Sequence, residues 1–172
     1  MNINFQEIND TNIDYKLLHK WCSNKFVYEW FEQRILSLSE IKNKYKNKLN
    51  NGKQSLFIVK YENKDIGFFQ IYKFENDVNI KELSQFNNIY EYDLFIGEEE
   101  YLSKGIGSKI VNMINEMIYK KHQADAIILR PFSRNIRAIK CYEKCGYKLI
   151  KKYDGYDTIG NPEEISVLLN IK

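Results

Sequence analysis

Apolar and polar residues alternate from Ile3 to Ile8, which predicts a short strand. Leu17, Leu18 and Trp21 then recur at helical spacing, in a helix that Asp10 or Thr11 can cap. Ser37-Leu38-Ser39-Glu40 has the form of a capping box, opening a basic helix to about Leu49. Leu56–Tyr61 and Ile66–Phe74 are rich in β-branched and aromatic residues and predict two strands, with a turn at Glu62-Asn63-Lys64-Asp65. Glu75–Ile89 is polar and irregular, a candidate substrate loop or disordered tip. Tyr92–Ile96 predicts the next strand. Ile110, Ile114, Met117 and Ile118 share one face of a helix from about Ile106 to Lys121. Ala126–Leu129 is a short, wholly apolar strand, as a buried position requires. A helix from Arg134 to Cys145 stops at Gly146, a natural C′ residue. Tyr147–Tyr153 and Ile165–Ile171 are closing strands, with Gly155 and Gly160 between them. Strands with interspersed helices predict a mixed α/β (α+β) fold.

The 172 residues suit a single domain over 1–172 with one core. No apolar run reaches membrane-span length, and Met1–Asp10 lacks the basic and apolar regions of a signal peptide. The expectation is a cytoplasmic protein that does not bind membranes. Cys22, Cys141 and Cys145 lack zinc-ligand spacing with His19 or His122, so neither a metal nor a disulfide framework is expected. A formal charge of +3 is too small to argue for nucleic acid, but its distribution is uneven. Phe74–Tyr101 carries Glu75, Asp77, Glu82, Glu91, Asp93, Glu98, Glu99 and Glu100 against one base, Lys81. From Lys104 to Lys152, bases far outnumber Glu116, Asp125 and Glu143. Such halves suit a cationic acceptor and an anionic donor, or are two solvated faces.

Ser103-Lys104-Gly105-Ile106-Gly107-Ser108 joins a strand to a helix. Glycines let the backbone approach a ligand, and the first helical N–H groups favour an anion; the same residues also make an ordinary tight turn. Further on comes Asn135-Ile136-Arg137-Ala138-Ile139-Lys140-Cys141-Tyr142-Glu143-Lys144-Cys145-Gly146-Tyr147. Together the two segments resemble the GNAT superfamily of acyl-CoA-dependent N-acyltransferases. Leu102 stands where the family's pyrophosphate loop usually opens with Arg or Gln, and Tyr147 where Phe is usual. Ile66-Gly67-Phe68-Phe69-Gln70-Ile71-Tyr72, Asp93-Leu94-Phe95-Ile96-Gly97 and the Leu102–Gly107 stretch are similar to the aminoglycoside 6'-N-acetyltransferases, as are Lys20-Trp21 and the start of the Ser37–Tyr45 helix.

The resemblance implies one mixed sheet, splayed between the strands at Leu94 and Ile128 and flanked by helices, with acetyl-CoA in the gap. Asp93 would bind or deprotonate the acceptor ammonium, and Tyr142 would protonate the leaving thiolate. The backbone of Leu94, Phe95 and Ile96 would pair with the pantetheine and hold the oxyanion. Ser103, Lys104, Gly105, Ile106, Gly107 and Ser108 would cradle the pyrophosphate. Asn135 would contact the pantetheine, or only cap its helix. Lys104, Lys109 and Lys144 are candidates for phosphates and the nucleotide end.

For the acceptor, Trp21, Trp30, Phe31 and Tyr72 are candidates for an apolar wall, though aromatics at 30 and 31 also suit a core. Gln70 is a candidate polar contact; Glu75, Asp77, Asp157 and Glu164 are candidates to receive ammonium groups. One departure stands out. Arg130-Pro131 occupies a position where the similar enzymes usually carry an acid before proline. A carboxylate between Asp154 and Glu164 is the expected partner that would neutralise it. The resulting expectation is an acetyl-CoA-dependent N-acetyltransferase, monomeric or homodimeric, acting on a small cationic amine, foremost the 6'-amine of an aminoglycoside. Another small amine, a polypeptide amine and a non-catalytic CoA-binding module are the alternatives.

Overall fold

The computed structural model describes residues 2–75 and 79–172. Seven strands form one sheet in the order β1-β2-β3-β4-β5-β7-β6. They are β1 (Ile3–Glu7), β2 (Gln54–Tyr61), β3 (Lys64–Lys73), β4 (Ile89–Ile96), β5 (Ala126–Leu129), β6 (Lys148–Tyr156) and β7 (Pro162–Ile171). The helices are α1 (Tyr15–Cys22), α2 (Lys25–Tyr28), α3 (Leu38–Asn51), α4 (Ile106–Lys121) and α5 (Ile136–Lys144). None of the helices among the described residues is long and apolar enough to cross a membrane.

The β4–β5 pairing is parallel, and it is short. It runs only through Ile89↔Ala126, Tyr90↔Ile127 and Glu91↔Ile128. From Tyr92 onward β4 stays paired with β3, up to Gly67↔Ile96, while β5 follows β7 to Leu129↔Leu168. The sheet therefore splits, as the resemblance implied, and β4 turns one backbone edge toward the split.

Helices cover the sheet because each presents an apolar stripe. Ile106, Ile110, Val111, Ile114 and Ile118 of α4 pack with Val59, Phe69, Ile127 and Leu168 in one cluster. Leu18 and Trp21 of α1 with Ile41 and Tyr45 of α3 pack on Leu56, Phe68 and Phe95 in another. The Ser37 capping box forms as its spacing predicts. The predicted cap of α1 does not: Asp14 takes it, accepting from the Lys16 and Leu17 N–H at 2.9 and 3.0 Å. Asn9 instead organises the residues before it, accepting from Thr11 N–H at 2.9 Å. Helix α2 has no sequence expectation behind it, being only four residues long. Within Glu75–Ile89, Ile80 and Leu83 are buried and anchor a 3₁₀ turn at Lys81–Leu83. Asp77 lies outside the described residues.

Candidate active site

Strand period and register bring the polar residues together. Gln70 and Tyr72 sit two apart on β3, so they share a face. Their direct partners across the ladder are Asp93 and Glu91 on β4. Four polar side chains thus meet where the sheet begins to split. Gln70 Nε2 donates to Asp93 Oδ2 at 2.5 Å, and Lys48 Nζ of α3 donates to Gln70 Oε1 at 2.7 Å. Burial, with the nearby Asp93 and Glu91 charges, pushes the Tyr72 phenol well up.

Asp93 lines a cavity of about 740 Å³ that fills the split. Tyr142 of α5 lines the same cavity, as do Leu94, Phe95, Ile96, Trp30, Gln70 and Asn135. Tyr142 packs against Tyr147 with ring centroids 5.9 Å apart, and burial pushes its phenol above the usual tyrosine range. Tyr147 is itself fixed, donating to Asn115 Oδ1 at 2.7 Å. Asn135 caps α5, accepting from Ala138 N–H at 3.2 Å, and also lines the cavity.

The other end of the cavity is the turn into α4. Ser103 and Gly105 both take left-handed backbone conformations, at φ 59° and 75°. Ser103, Gly105, Gly107 and Ser108 line the cavity. A Cβ on Gly107 would lie 3.6 Å from Cys141 Sγ, an ordinary contact, so the fold alone does not demand glycine there. Lys104 is exposed and outside the lining residues, and Ile106 is buried beneath the loop in the α4 core. Lys144 lines the cavity, joined by Arg137 and Lys140 of the same helix.

Several acceptor candidates stand elsewhere. Trp21 is fully buried, with its indole N–H on Glu98 at 2.9 Å, so it forms no pocket wall. Phe31 touches the cavity but packs edge-on against Phe95 at 5.1 Å. Glu164 is exposed and paired with Lys152 at 2.7 Å, away from the cavity. The Asp157 carboxylate accepts from Ile159 and Asn161 N–H in its own turn, which holds it below the usual range against its partial desolvation. Exposed Glu75 faces Lys53 at 3.5 Å.

Arg130 has a partner, but not from Asp154–Glu164. Its Nε and Nη2 reach the two oxygens of buried Glu91 at 2.8 and 2.9 Å. The guanidinium also lies 5.4 Å from the Phe74 ring centroid. The reason is register: Glu91 pairs with Ile128, so Arg130, two residues on, shares its face. A smaller cavity of about 270 Å³ continues past Asp93 between Tyr72, Arg130 and Tyr153. Glu32, Lys44 and Lys48, beside Gln70 and Asp93, also line the main cavity, and sequence reasoning missed them. The four-residue spacing of the two lysines on α3 was the available signal. Lys44 pairs with Glu32. Burial and Lys48 push the Lys44 ammonium down, to about 8, while Cys22 and Asp93 oppose that shift.

Known proteins share this fold. Residues 10–155 match the family described as "Acetyltransferase (GNAT) domain". The aminoglycoside N(6')-acetyltransferase type 1 of Klebsiella pneumoniae is 24% identical over 151 residues, which cover 80% of this chain and 71% of that protein. The solved structure of aminoglycoside acetyltransferase AAC(6')-Ib with coenzyme A and kanamycin superposes at a TM-score of 0.81. It is 20% identical, over 99% of this chain and 95% of the other. The spermidine N-acetyltransferase of Vibrio cholerae, solved with CoA and spermine, gives a TM-score of 0.78 at 14% identity, over 98% and 95% of the two chains. The two segments that carry the resemblance, the glycine turn into α4 and the Asn135–Tyr147 stretch that holds α5, both supply residues to the cavity in the split sheet, and the chain belongs to the GNAT acetyltransferase family.

Proposed function

We propose that this protein transfers the acetyl group of acetyl-CoA to a primary amine, foremost the 6'-amine of an aminoglycoside. One observation carries the reading: Asp93 and Tyr142 line one cavity, between an unpaired strand edge and a glycine-opened helix. The thioester arm adds to the free edge of β4 as an extended segment would, using backbone groups of Leu94–Ile96. Gly105, Gly107 and the first α4 N–H groups take the pyrophosphate, with Arg137, Lys140 and Lys144 adding positive charge. The relatives solved with CoA, kanamycin or spermine support both halves of the reading.

In the reaction the amine nitrogen forms a bond to the acetyl carbon and the carbon–sulfur bond breaks. A backbone N–H of β4 receives the oxyanion. The nitrogen loses a proton and the thiolate gains one. Asp93, already accepting from Gln70, holds and aims the amine. Tyr142 stays protonated because burial raises its phenol, so it reaches the thiolate as a hydrogen-bond donor.

The test is CoA-thiol release with kanamycin and tobramycin, beside an analogue bearing a 6'-hydroxyl. The first two should release CoA and the third should not. No release above the acetyl-CoA background with any aminoglycoside would refute the aminoglycoside acceptor.

A second reading, acetylation of a smaller amine with fewer charges, is favoured by one observation. Glu32 and Glu91 line the cavities that an acceptor would enter, yet each faces one of the protein's own cations, Lys44 and Arg130. A monoamine turned over faster than kanamycin in the same assay would favour that reading.

A further inference from the structure

Lys48 belongs to no recognised motif, yet it stands inside the acceptor end of the cavity. It is half-buried, and its ammonium meets the neutral oxygen of Gln70, whereas Lys44, one turn earlier, pairs with the carboxylate of Glu32. Burial pushes the Lys48 ammonium down, while the charge of Asp93 opposes that shift.

An ammonium can only donate, so Lys48 fixes which way the Gln70 amide points. Oε1 must face Lys48, and Nε2 must then face Asp93, as it does at 2.5 Å. Without Lys48 the amide keeps only its Asp93 contact, since a reversed amide would set its carbonyl oxygen against the carboxylate and two acceptors repel. Gln70 then loses its second anchor, and the carboxylate it holds loses its fixed direction into the cavity.

We propose that Lys48 is a positioning residue for the acceptor, acting through Gln70 to aim the Asp93 carboxylate into the cavity. The proposal rests on the reading that the acceptor amine binds at Asp93. Its effect is confined to the acceptor side, because Lys48, Gln70 and Asp93 lie away from the α4 turn. It differs from simple charge: a lysine acting only as a nearby positive charge would repel a cationic acceptor, and its removal would improve binding.

The experiment compares Lys48→Met and Lys48→Arg with the wild type, and repeats Lys48→Met in a Gln70→Leu background. Acceptor and acetyl-CoA constants are read separately, with the melting temperature. Lys48→Met should lower kcat/KM for the acceptor about tenfold, the scale of one hydrogen bond to a charged group. The acetyl-CoA constant and the melting temperature should hold. Lys48→Arg, which can still only donate, should recover most of the loss. In the Gln70→Leu background, Lys48→Met should add little, since there is no amide left to orient. An unchanged or higher kcat/KM in Lys48→Met, or an equal loss in both backgrounds, overturns the proposal. A wild-type protein that acetylates no amine instead fails the functional reading on which the proposal depends.

Discussion

Asp93 accepts from Gln70 before any substrate arrives, so the protein itself aims this carboxylate. Asp93→Asn should therefore act mainly through the acceptor, raising its KM while the acetyl-CoA constant stays near the wild-type value in steady-state kinetics. Tyr142→Phe keeps the ring against Tyr147 and removes the donor. Turnover should fall by roughly 10²–10⁴ in single-turnover measurements, the usual scale of general-acid assistance. Wild-type single-turnover rates would remove Tyr142 from the mechanism. Arg130→Met should destabilise by about 3–5 kcal/mol in chemical denaturation, because it strips the guanidinium from the buried Glu91 carboxylate. Arg130→Met with Glu91→Gln should regain much of that loss. Asp93 and Tyr142 were legible in the sequence because each sits in a continuous motif. Glu91 and Arg130 were not legible as partners, because their meeting depends on the β4–β5 register.

At the level of elements, most of the order was readable and the ends were not. The Ser37 capping box, the α4 stripe and the Gly146 stop of α5 follow from local spacing. The Asp14 cap was missed because Asn9, Asp10 and Thr11 offer competing side chains a few residues earlier. Trp21 looked like a pocket aromatic, yet it is a support. A Cβ on Gly97 would fall inside its ring, so the glycine after β4 lets α1 close over the strand that carries Asp93. Gly97→Ala should lower stability by about 1–3 kcal/mol, read as a drop in melting temperature, as overpacking does. Gly107 is a different case. Its Cβ would meet Cys141 and Ile96 at ordinary distances, so Gly107→Val should fold normally and raise the KM for acetyl-CoA. An unchanged constant would remove the turn from donor binding. The tip of the β6–β7 hairpin adds a contact that no pattern announced: Thr158 donates to Glu32 O at 2.6 Å and its N–H to Gln33 at 3.0 Å, beside the acceptor end.

Across the whole molecule, the segregation of acids and bases seen along the chain does not carry over simply to the site. Glu91 is neutralised by Arg130, Glu75 faces Lys53, and the half-buried cations Lys44 and Lys48 come from a helix outside both charged stretches. Linear charge counts fail here because α3 crosses over the site from a distant part of the sequence. The splayed sheet, by contrast, was implied by the resemblance that the two motifs carry, and not by their spacing. Passage of an acetyl group from a thioester to an amine within this split is tested most directly by a stoichiometric reaction with acetyl-labelled acetyl-CoA and kanamycin, followed by mass spectrometry of the acceptor. One labelled amide should form for each thiol released. Thiol release that yields only labelled acetate, with kanamycin unchanged, would contradict that transfer.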